Sequence, residues 1–261
     1  MLTYNDLIVG LEKLGPFRDR PVIAHASLSA FGQIQGGADS IVTGLSYAAP
    51  VFIMPTFTYK TMVTPLSGPA NNAINYQQGQ QWNKLSEVFH NDMPVDPLIG
   101  KVSERMRKWP EAARSMHPIL SFSGFNAKKI LEVQSIAEPF APIRSLIEQD
   151  GWVLLLGVNH TANTSIHFAE KLAGRSQFLR WASTESGVVP CPGFPGCSSG
   201  FDSVSKEVKA FTKTAAIGNA IVQAIPLRPL MIKIIELIKK DRTALLCERS
   251  DCERCAVIRG N

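Results

Sequence analysis

Short apolar runs alternate with amphipathic stretches along this chain, and each stretch has the length of one strand or one helix. Runs of buried-strand type occupy residues 21–26, 51–54, 118–122, 152–157 and 178–183. Capped or amphipathic segments predict helices over residues 3–14, 39–49, 97–109, 126–132, 142–149 and 164–172. Strands and helices that alternate in this way are typical of a layered α/β fold.

Local signals fix several of these boundaries. Thr3, with Asp6 three residues later, predicts a capping box, and Gly15-Pro16 ends the first helix. Asp96 before Pro97 fits an N-cap followed by a first-turn proline. The run 152–157 is the most apolar of the chain, which predicts a central strand covered on both faces.

The segment between residues 59 and 95 has no clear period. It is polar and rich in Asn and Gln. A long irregular stretch inside a domain is usually a functional loop or a lid, and we expect one here.

Composition excludes a largely disordered chain. The 261 residues are 45% apolar and 19% charged, which is ordinary for a globular protein. No run approaches the roughly 18 apolar residues of a membrane span, and no signal-peptide pattern opens the sequence. We therefore expect a cytoplasmic protein with no membrane partner.

The basic excess is unevenly placed. The net charge is +5, and residues 201–261 hold 11 basic and 7 acidic side chains, or +4. Residues 1–200 therefore carry only +1, which disfavours both a nucleic-acid role and tight binding of polycations.

Histidines lie at several predicted strand boundaries: His25, His117, His160 and His167. Each could be a structural histidine, but His167 and Glu170 stand three residues apart on one predicted helix, where a carboxylate can orient an imidazole as a general base. Ser27 and Ser29 lack the G-x-S-x-G surroundings of a serine hydrolase. The turn 32–37 could hold phosphate or could simply be tight, since it matches no established phosphate-binding motif.

An ordered series of motifs closely resembles the aminoglycoside 3-N-acetyltransferase family. The series spans residues 1–180 and comprises 25–32, 36–38, 54–58, 114–118 with 121–122, 142–146, 150–158 and 163–170. The resemblance implies a three-layer α/β/α sandwich with a central, mostly parallel sheet. This is not the fold of the larger N-acetyltransferase superfamily, which uses a glycine-rich pyrophosphate loop, and no such loop occurs here.

The same resemblance implies the reaction and its residues. Acetyl-CoA would be the co-substrate, with its acetyl group passing directly to an amine. His167 would be the base, Glu170 would hold it, and Thr164 or a backbone N–H beside it would stabilise the developing charge. Residues implied to line the cofactor or support the site are His25 (also a catalytic candidate), Ser27, Leu28, Ser29, Gly32, Gly37, Arg114, Ser115 and His117.

The acceptor is less defined than the reaction. Antibiotic-modifying members bind polycations, which need an acidic cleft, yet the segment 59–96 offers Glu87, Asp92 and Asp96 against Lys60 and Lys84. The acceptor is expected to be an aminoglycoside or a related amino sugar or small amine, bound by a monomer or a homodimer.

Five cysteines complete the candidate chemistry. Cys252-x2-Cys255 has the spacing of a thiolate knuckle, and together with Cys197 and Cys247 it would form a closed tetrahedral zinc site. Cys191 could replace one ligand, and free thiols or a redox pair at 252 and 255 are the alternatives. We expect one domain over residues 1–261, with 187–261 a helical, cysteine-bearing part packed on it.

Two other functional classes stay open at the sequence level. A metal-dependent hydrolase would need a metal at His25, His117, His160 or His167. A nucleic-acid-binding module would use the +4 charge and the cysteine knuckle of the C-terminal part.

Overall fold

The computed structural model describes residues 1–260, and two β-sheets organise them. The strands are β1 Val22–Ala26, β2 Phe52–Pro55, β3 Met62–Val63, β4 Ala112–Arg114, β5 Phe122–Phe125, β6 Trp152–Leu156, β7 Phe178–Thr184, β8 Gly187–Phe194, β9 Lys213–Ile217 and β10 Ala220–Pro226. The α-helices are α1 Tyr4–Glu12, α2 Ala38–Ala48, α3 Tyr76–Gly79, α4 Lys101–Arg107, α5 Lys128–Glu132, α6 Ala141–Glu148, α7 Ser165–Leu172, α8 Ser205–Val208, α9 Leu227–Lys240 and α10 Glu253–Gly260.

The larger sheet has seven strands in the order β4-β5-β2-β1-β6-β10-β9. Strand β1 pairs in parallel with β2 and β6, and the remaining neighbours pair antiparallel. Only β5 and β10 run against the rest, so five of the seven strands share one direction. Because most strands share one direction, the prediction of a central, mostly parallel sheet is confirmed.

Helices cover both faces of this sheet because its central strands are apolar on both sides. On one face, Ile23 and Val153 pack with residues of α5, α6, α7 and α9. On the other face, Val22 and Leu154 pack with residues of α1, α2 and α4. The expected three-layer α/β/α sandwich is confirmed.

Two predicted caps are present, and one predicted helix is divided. The Thr3 side chain accepts from the Asp6 N–H, and Asp6 bonds back to the Thr3 N–H, which completes the capping box. The Asp96 side chain accepts from the Leu98 N–H. Gly100, at φ +99°, then separates the 3₁₀ turn Pro97–Ile99 from α4.

The strand predicted over residues 118–122 is wrong in position. His117 Nδ1 accepts hydrogen bonds from the Ile119 and Leu120 N–H groups, which makes a turn of this apolar run. The strand begins only at Phe122, where the turn ends.

The expectation of a helical part over 187–261 is also wrong for the described residues. Strands β9 and β10 form a hairpin through Gly218-Asn219 and join the central sheet beside β6. The glycine has φ +58°, which suits the first position of a two-residue hairpin turn. Strand β8 belongs to the second sheet, so helices make up only part of this region.

The second sheet is small and antiparallel, in the order β3-β7-β8. Its first strand comes from the segment predicted as an irregular loop, which also contains α3 and short 3₁₀ turns. Within residues 1–260, no helix has the length and apolar character needed to cross a membrane.

Candidate active site

The three adjacent parallel strands β2, β1 and β6 end at the same edge of the central sheet, and a cavity of about 1070 Å³ lies there. The segments that follow these strands line it, as expected for an open α/β sheet. Residues 96–103, the second sheet and the cysteine-bearing tail complete the wall.

His167 lies on α7 and lines this cavity, with its ring fixed from behind by a chain of hydrogen bonds. Its Nδ1 is 2.8 Å from Glu170 Oε2. The other carboxylate oxygen of Glu170 accepts from Arg175 Nη1 at 2.5 Å. Arg175 in turn donates to the carbonyl oxygens of Arg242 and Ala244.

Two aromatic rings hold the imidazole on its sides. Phe140 stacks on it with ring centroids 6.3 Å apart, and Phe201 lies at 4.7 Å. Glu170 is 1% exposed and Arg175 is 7% exposed, so their ion pair is shielded from water.

This arrangement can abstract a proton. A carboxylate accepts hydrogen bonds, so Nδ1 of His167 carries the proton and the lone pair of a neutral ring is on Nε2. Arg175 pairs with the buried Glu170, whose other oxygen would stabilise the imidazolium that forms.

The start of α7 supplies possible donors beside His167. Asn163 Oδ1 accepts from the Ser165 N–H, so the side chain of Asn163, rather than that of Thr164, caps the helix. The Thr164 N–H makes no hydrogen bond with another residue of the described chain, and Thr164 lines the cavity. Its N–H is therefore available to a ligand oxygen.

The segment after β1 forms another wall. His25, Ser27, Leu28, Ser29 and Gly32 all line the cavity, and the two serine hydroxyls are 3.1 Å apart. Burial, together with the nearby charge of His160, lowers the pKa of His25 to about 3, so His25 is neutral at pH 7. Its Nε2 makes no hydrogen bond with the described residues.

Four residues predicted to contact the cofactor do not line the cavity: Gly37, Arg114, Ser115 and His117. Arg114 donates to the carbonyl oxygens of Asn91, Met93 and Thr56 and so ties the segment before Asp96 to the sheet. Ser115 and His117 bond to backbone groups of their own turn. Gly37 has φ +58° at the turn before α2. In this structure the four hold surrounding segments in place, and their contact with a cofactor stays a prediction.

The structure gathers the four cysteines that the sequence singled out. The sulfur atoms of Cys197, Cys247, Cys252 and Cys255 all lie within 4.8 Å of one another, and all four residues are buried. Cys191 lies outside this cluster, and burial raises the pKa of its thiol to about 11.

Several cavity residues were not found from the sequence. The formal charges of the lining come from Lys101, Arg180, Arg249 and Arg254 against Asp96, so cations are in excess. Arg180 reaches the cavity from β7 and Arg254 reaches it from the tail helix α10. No short sequence motif marks either position. Arg175, behind His167, was missed for a similar reason.

The histidines do not gather around a common point. Among residues 1–260, the four cysteines are the only group of three or more side chains placed to hold a metal. The histidine-based metal hydrolase therefore has no support in the described structure.

Comparison with known proteins agrees with the resemblance seen in the sequence. Residues 23–237 match the family model described as aminoglycoside 3-N-acetyltransferase. A curated relative, the SPbeta prophage-derived aminoglycoside N(3')-acetyltransferase-like protein YokD of Bacillus subtilis (strain 168), is 27% identical over 180 residues. This alignment covers 64% of each protein, so the present chain spans somewhat less than two thirds of that relative.

Solved structures share the fold over nearly the whole chain. The apoenzyme of the aminoglycoside acetyltransferase AAC(3)-IVa has a TM-score of 0.80 at 23% identity, covering 99% of this chain and 97% of that one. A binary complex of AAC-IIIb with CoASH has a TM-score of 0.73 at 19% identity, covering 91% and 96%. Since the family model matches most of the sequence, this chain belongs to the aminoglycoside 3-N-acetyltransferase family.

Proposed function

We propose that this protein transfers the acetyl group of acetyl-CoA directly to an amine of an aminoglycoside or a related amino sugar. The observation that carries the proposal is His167, which lines the cavity while Glu170 holds its Nδ1. The CoASH complex of AAC-IIIb supports the choice of cofactor, and a mutant of AAC(3)-IVa solved in complex with apramycin supports the acceptor class.

In the proposed step, the amine nitrogen attacks the thioester carbonyl carbon while His167 Nε2 takes the proton from nitrogen. The new N–C bond forms, the C–S bond breaks, and the thiolate of CoA leaves and is protonated in turn. The Thr164 N–H would stabilise the carbonyl oxygen as its negative charge develops. His25, Ser27, Leu28, Ser29 and Gly32 would lie along the cofactor, with His25 neutral.

A thiol-release assay with acetyl-CoA and a panel of amines tests this function. The panel should include gentamicin-type aminoglycosides and simple amino sugars. We expect CoA release that depends on one class of amine, and no amine-dependent release would contradict the proposal.

The role of His167 is tested by His167→Ala in the same assay. Because general bases contribute about 10²–10⁴-fold, kcat should fall by that factor while the Kd for CoA changes little. His90→Ala is the matched control, since His90 is exposed and outside the cavity. Near-normal turnover of His167→Ala would overturn the assignment.

We also propose that Cys197, Cys247, Cys252 and Cys255 hold a structural zinc ion. Four buried sulfurs within 4.8 Å of one another suit the tetrahedral geometry of a closed thiolate site. The two segments that carry them, at residue 197 and at residues 247–255, are far apart in sequence, and zinc would join them.

Metal analysis of the purified protein tests the zinc proposal. We expect about one zinc per chain in the wild type and in Cys191→Ser, which removes a buried thiol outside the cluster. Cys255→Ser should lose the metal and unfold at a lower temperature. Metal-free wild-type protein with five titratable thiols after denaturation, from cells grown in zinc-containing medium, would refute the site.

A further inference from the structure

The wall of the cavity formed by the second sheet contains a buried arginine without a carboxylate partner. Arg180, on β7, is 8% exposed. Its Nη1 donates to the carbonyl oxygens of Asn72 and Leu179, both neutral groups. Its guanidinium also lies over the rings of Phe194 and Phe178, at 4.9 and 5.4 Å.

A second arginine reaches the same part of the cavity. Arg254, on α10, donates to the Gly196 carbonyl oxygen at 2.9 Å and lines the cavity with Arg180. Among residues 1–260, no carboxylate oxygen lies within 4.0 Å of either guanidinium. Burial and, after it, the charge of Arg254 lower the pKa of Arg180 to about 10, while Tyr76 and Glu253 act in the opposite direction.

Arg180 and Arg254 belong to a lining with four cations, the others being Lys101 and Arg249, and one carboxylate, Asp96, and such an excess of positive charge is costly to bury. The cost falls when an anionic ligand group binds both arginines. Guanidinium groups are suited to such ligands, since their planar array of N–H donors matches phosphate and carboxylate oxygens.

We propose that Arg180 and Arg254 form a subsite for an anionic group, a phosphate, sulfate or carboxylate, on the acceptor amine. This inference rests on the proposed function, because it assigns the substrate class of the same cavity. The subsite lies on the wall made by the second sheet and the tail, whereas the proposed cofactor wall follows β1. Within the proposed acceptor class, the preferred acceptor is then an amino sugar that also carries a negatively charged group.

Binding of inorganic phosphate tests the subsite without any acetyl transfer. Phosphate is titrated calorimetrically into the intact protein in chloride buffer, once alone and once with saturating CoA. The variants are Arg254→Gln, Arg254→Lys and, as a control of equal charge change outside the cavity, Arg228→Gln.

We expect phosphate to bind the wild type both with and without CoA. Arg254→Gln should raise the Kd for phosphate about tenfold or more, because it removes one of two cations. Arg254→Lys keeps the charge but loses the planar donor array and should raise the Kd less than Arg254→Gln, while Arg228→Gln should change it about threefold or less. The same Kd in the wild type and in Arg254→Gln would overturn the proposal.

The titration with saturating CoA shows whether the anionic group bound by the arginines belongs to the acceptor or to the cofactor. Loss of phosphate binding in the presence of CoA would show that the arginines serve the phosphates of the cofactor, which would overturn the assignment to the acceptor. Failure of every amine in the thiol-release assay would overturn the proposed function alone, since the phosphate titration involves no transfer.

Discussion

Two side chains that follow His167 in the sequence, Glu170 and Arg175, decide its properties. Glu170 fixes which ring nitrogen carries the proton, and Arg175 neutralises Glu170. A buried ion pair of this kind contributes little net stability when complete, but removal of one partner leaves an uncompensated charge in the interior.

Replacement of Arg175 is therefore expected to be costly. In Arg175→Met, the Glu170 carboxylate would stay buried without its cation, and the free energy of unfolding should fall by about 3–5 kcal/mol. Urea unfolding measures this directly. Arg144→Met is the control: Arg144 pairs with Glu138 at the surface, and its loss should cost less than about 1 kcal/mol.

The double variant Glu170→Gln with Arg175→Met completes a cycle. It should be more stable than Arg175→Met alone, since no buried charge remains unpaired. Equal stability of the two would mean that Arg175 acts through its bonds to the carbonyls of Arg242 and Ala244 instead.

The sequence predicted the pairing of His167 with Glu170, but it did not predict the contact of Arg175 with Glu170. His167 and Glu170 are three residues apart within α7, where helix geometry fixes their relation. Arg175 follows the helix, beyond Gly174 at φ +84°, and no spacing rule holds across such a turn.

At the scale of a structural element, the turn at residues 117–120 is held by the neutral imidazole of His117. His117 Nδ1 accepts two backbone N–H groups, which it can do only when that nitrogen is unprotonated. Burial lowers the pKa of His117 to about 4, against backbone carbonyl contacts that act in the opposite direction.

This turn should contribute to acid sensitivity. Between pH 6.5 and 4 the unfolded chain takes up a proton at His117 that the folded protein excludes, so stability falls as the pH drops, by roughly 3 kcal/mol in all. His117→Asn keeps an acceptor and removes the titration. Its free energy of unfolding should therefore fall less steeply than that of the wild type over this range.

Urea unfolding at pH 7, 6, 5 and 4 measures the two slopes. His90→Asn serves as the control, because His90 is exposed. Parallel curves for the wild type and His117→Asn would exclude a contribution from the turn.

The same turn explains why one strand was predicted in the wrong place. Residues 118–122 are all buried and, apart from Ser121, apolar, and a short buried apolar run can belong to a strand or to a turn. The hairpin β9-β10 was missed for the converse reason: β9 is largely exposed and lacks an apolar run, although Gly218-Asn219 is a recognisable turn signal.

For the molecule as a whole, the cysteine cluster connects the tail to the wall of the active-site cavity. Cys197 lines the cavity, while Cys247, Cys252 and Cys255 belong to the tail that also carries Arg249 and Arg254. If zinc holds the cluster, its removal should release the tail before the sandwich unfolds.

Limited digestion with trypsin tests this order. With a strong chelator, cleavage after Arg249 and Arg254 should become faster, and mass spectrometry should find the remaining chain intact at early times. The protein without chelator is the reference. Equal rates of tail cleavage in both samples would contradict a metal-dependent attachment.

The sandwich and the location of the cavity were predictable because they follow from strands β1, β2 and β6, whose apolar runs and following motifs are local in sequence. The cation-lined wall was not. It is assembled from residues 180, 194–199 and 249–254, which meet only through the second sheet and the cysteine cluster.

This division has a consequence for substrate range. The side chains proposed for proton transfer sit on the central sandwich, whereas Arg249 and Arg254 belong to a short segment fastened by sulfur atoms. If Arg254 binds the acceptor as proposed, a substitution at Arg254 would change which amine is bound while His167 and Glu170 stay in place. Under that assignment, substrate range would change through a few residues of a segment that lies outside the sandwich.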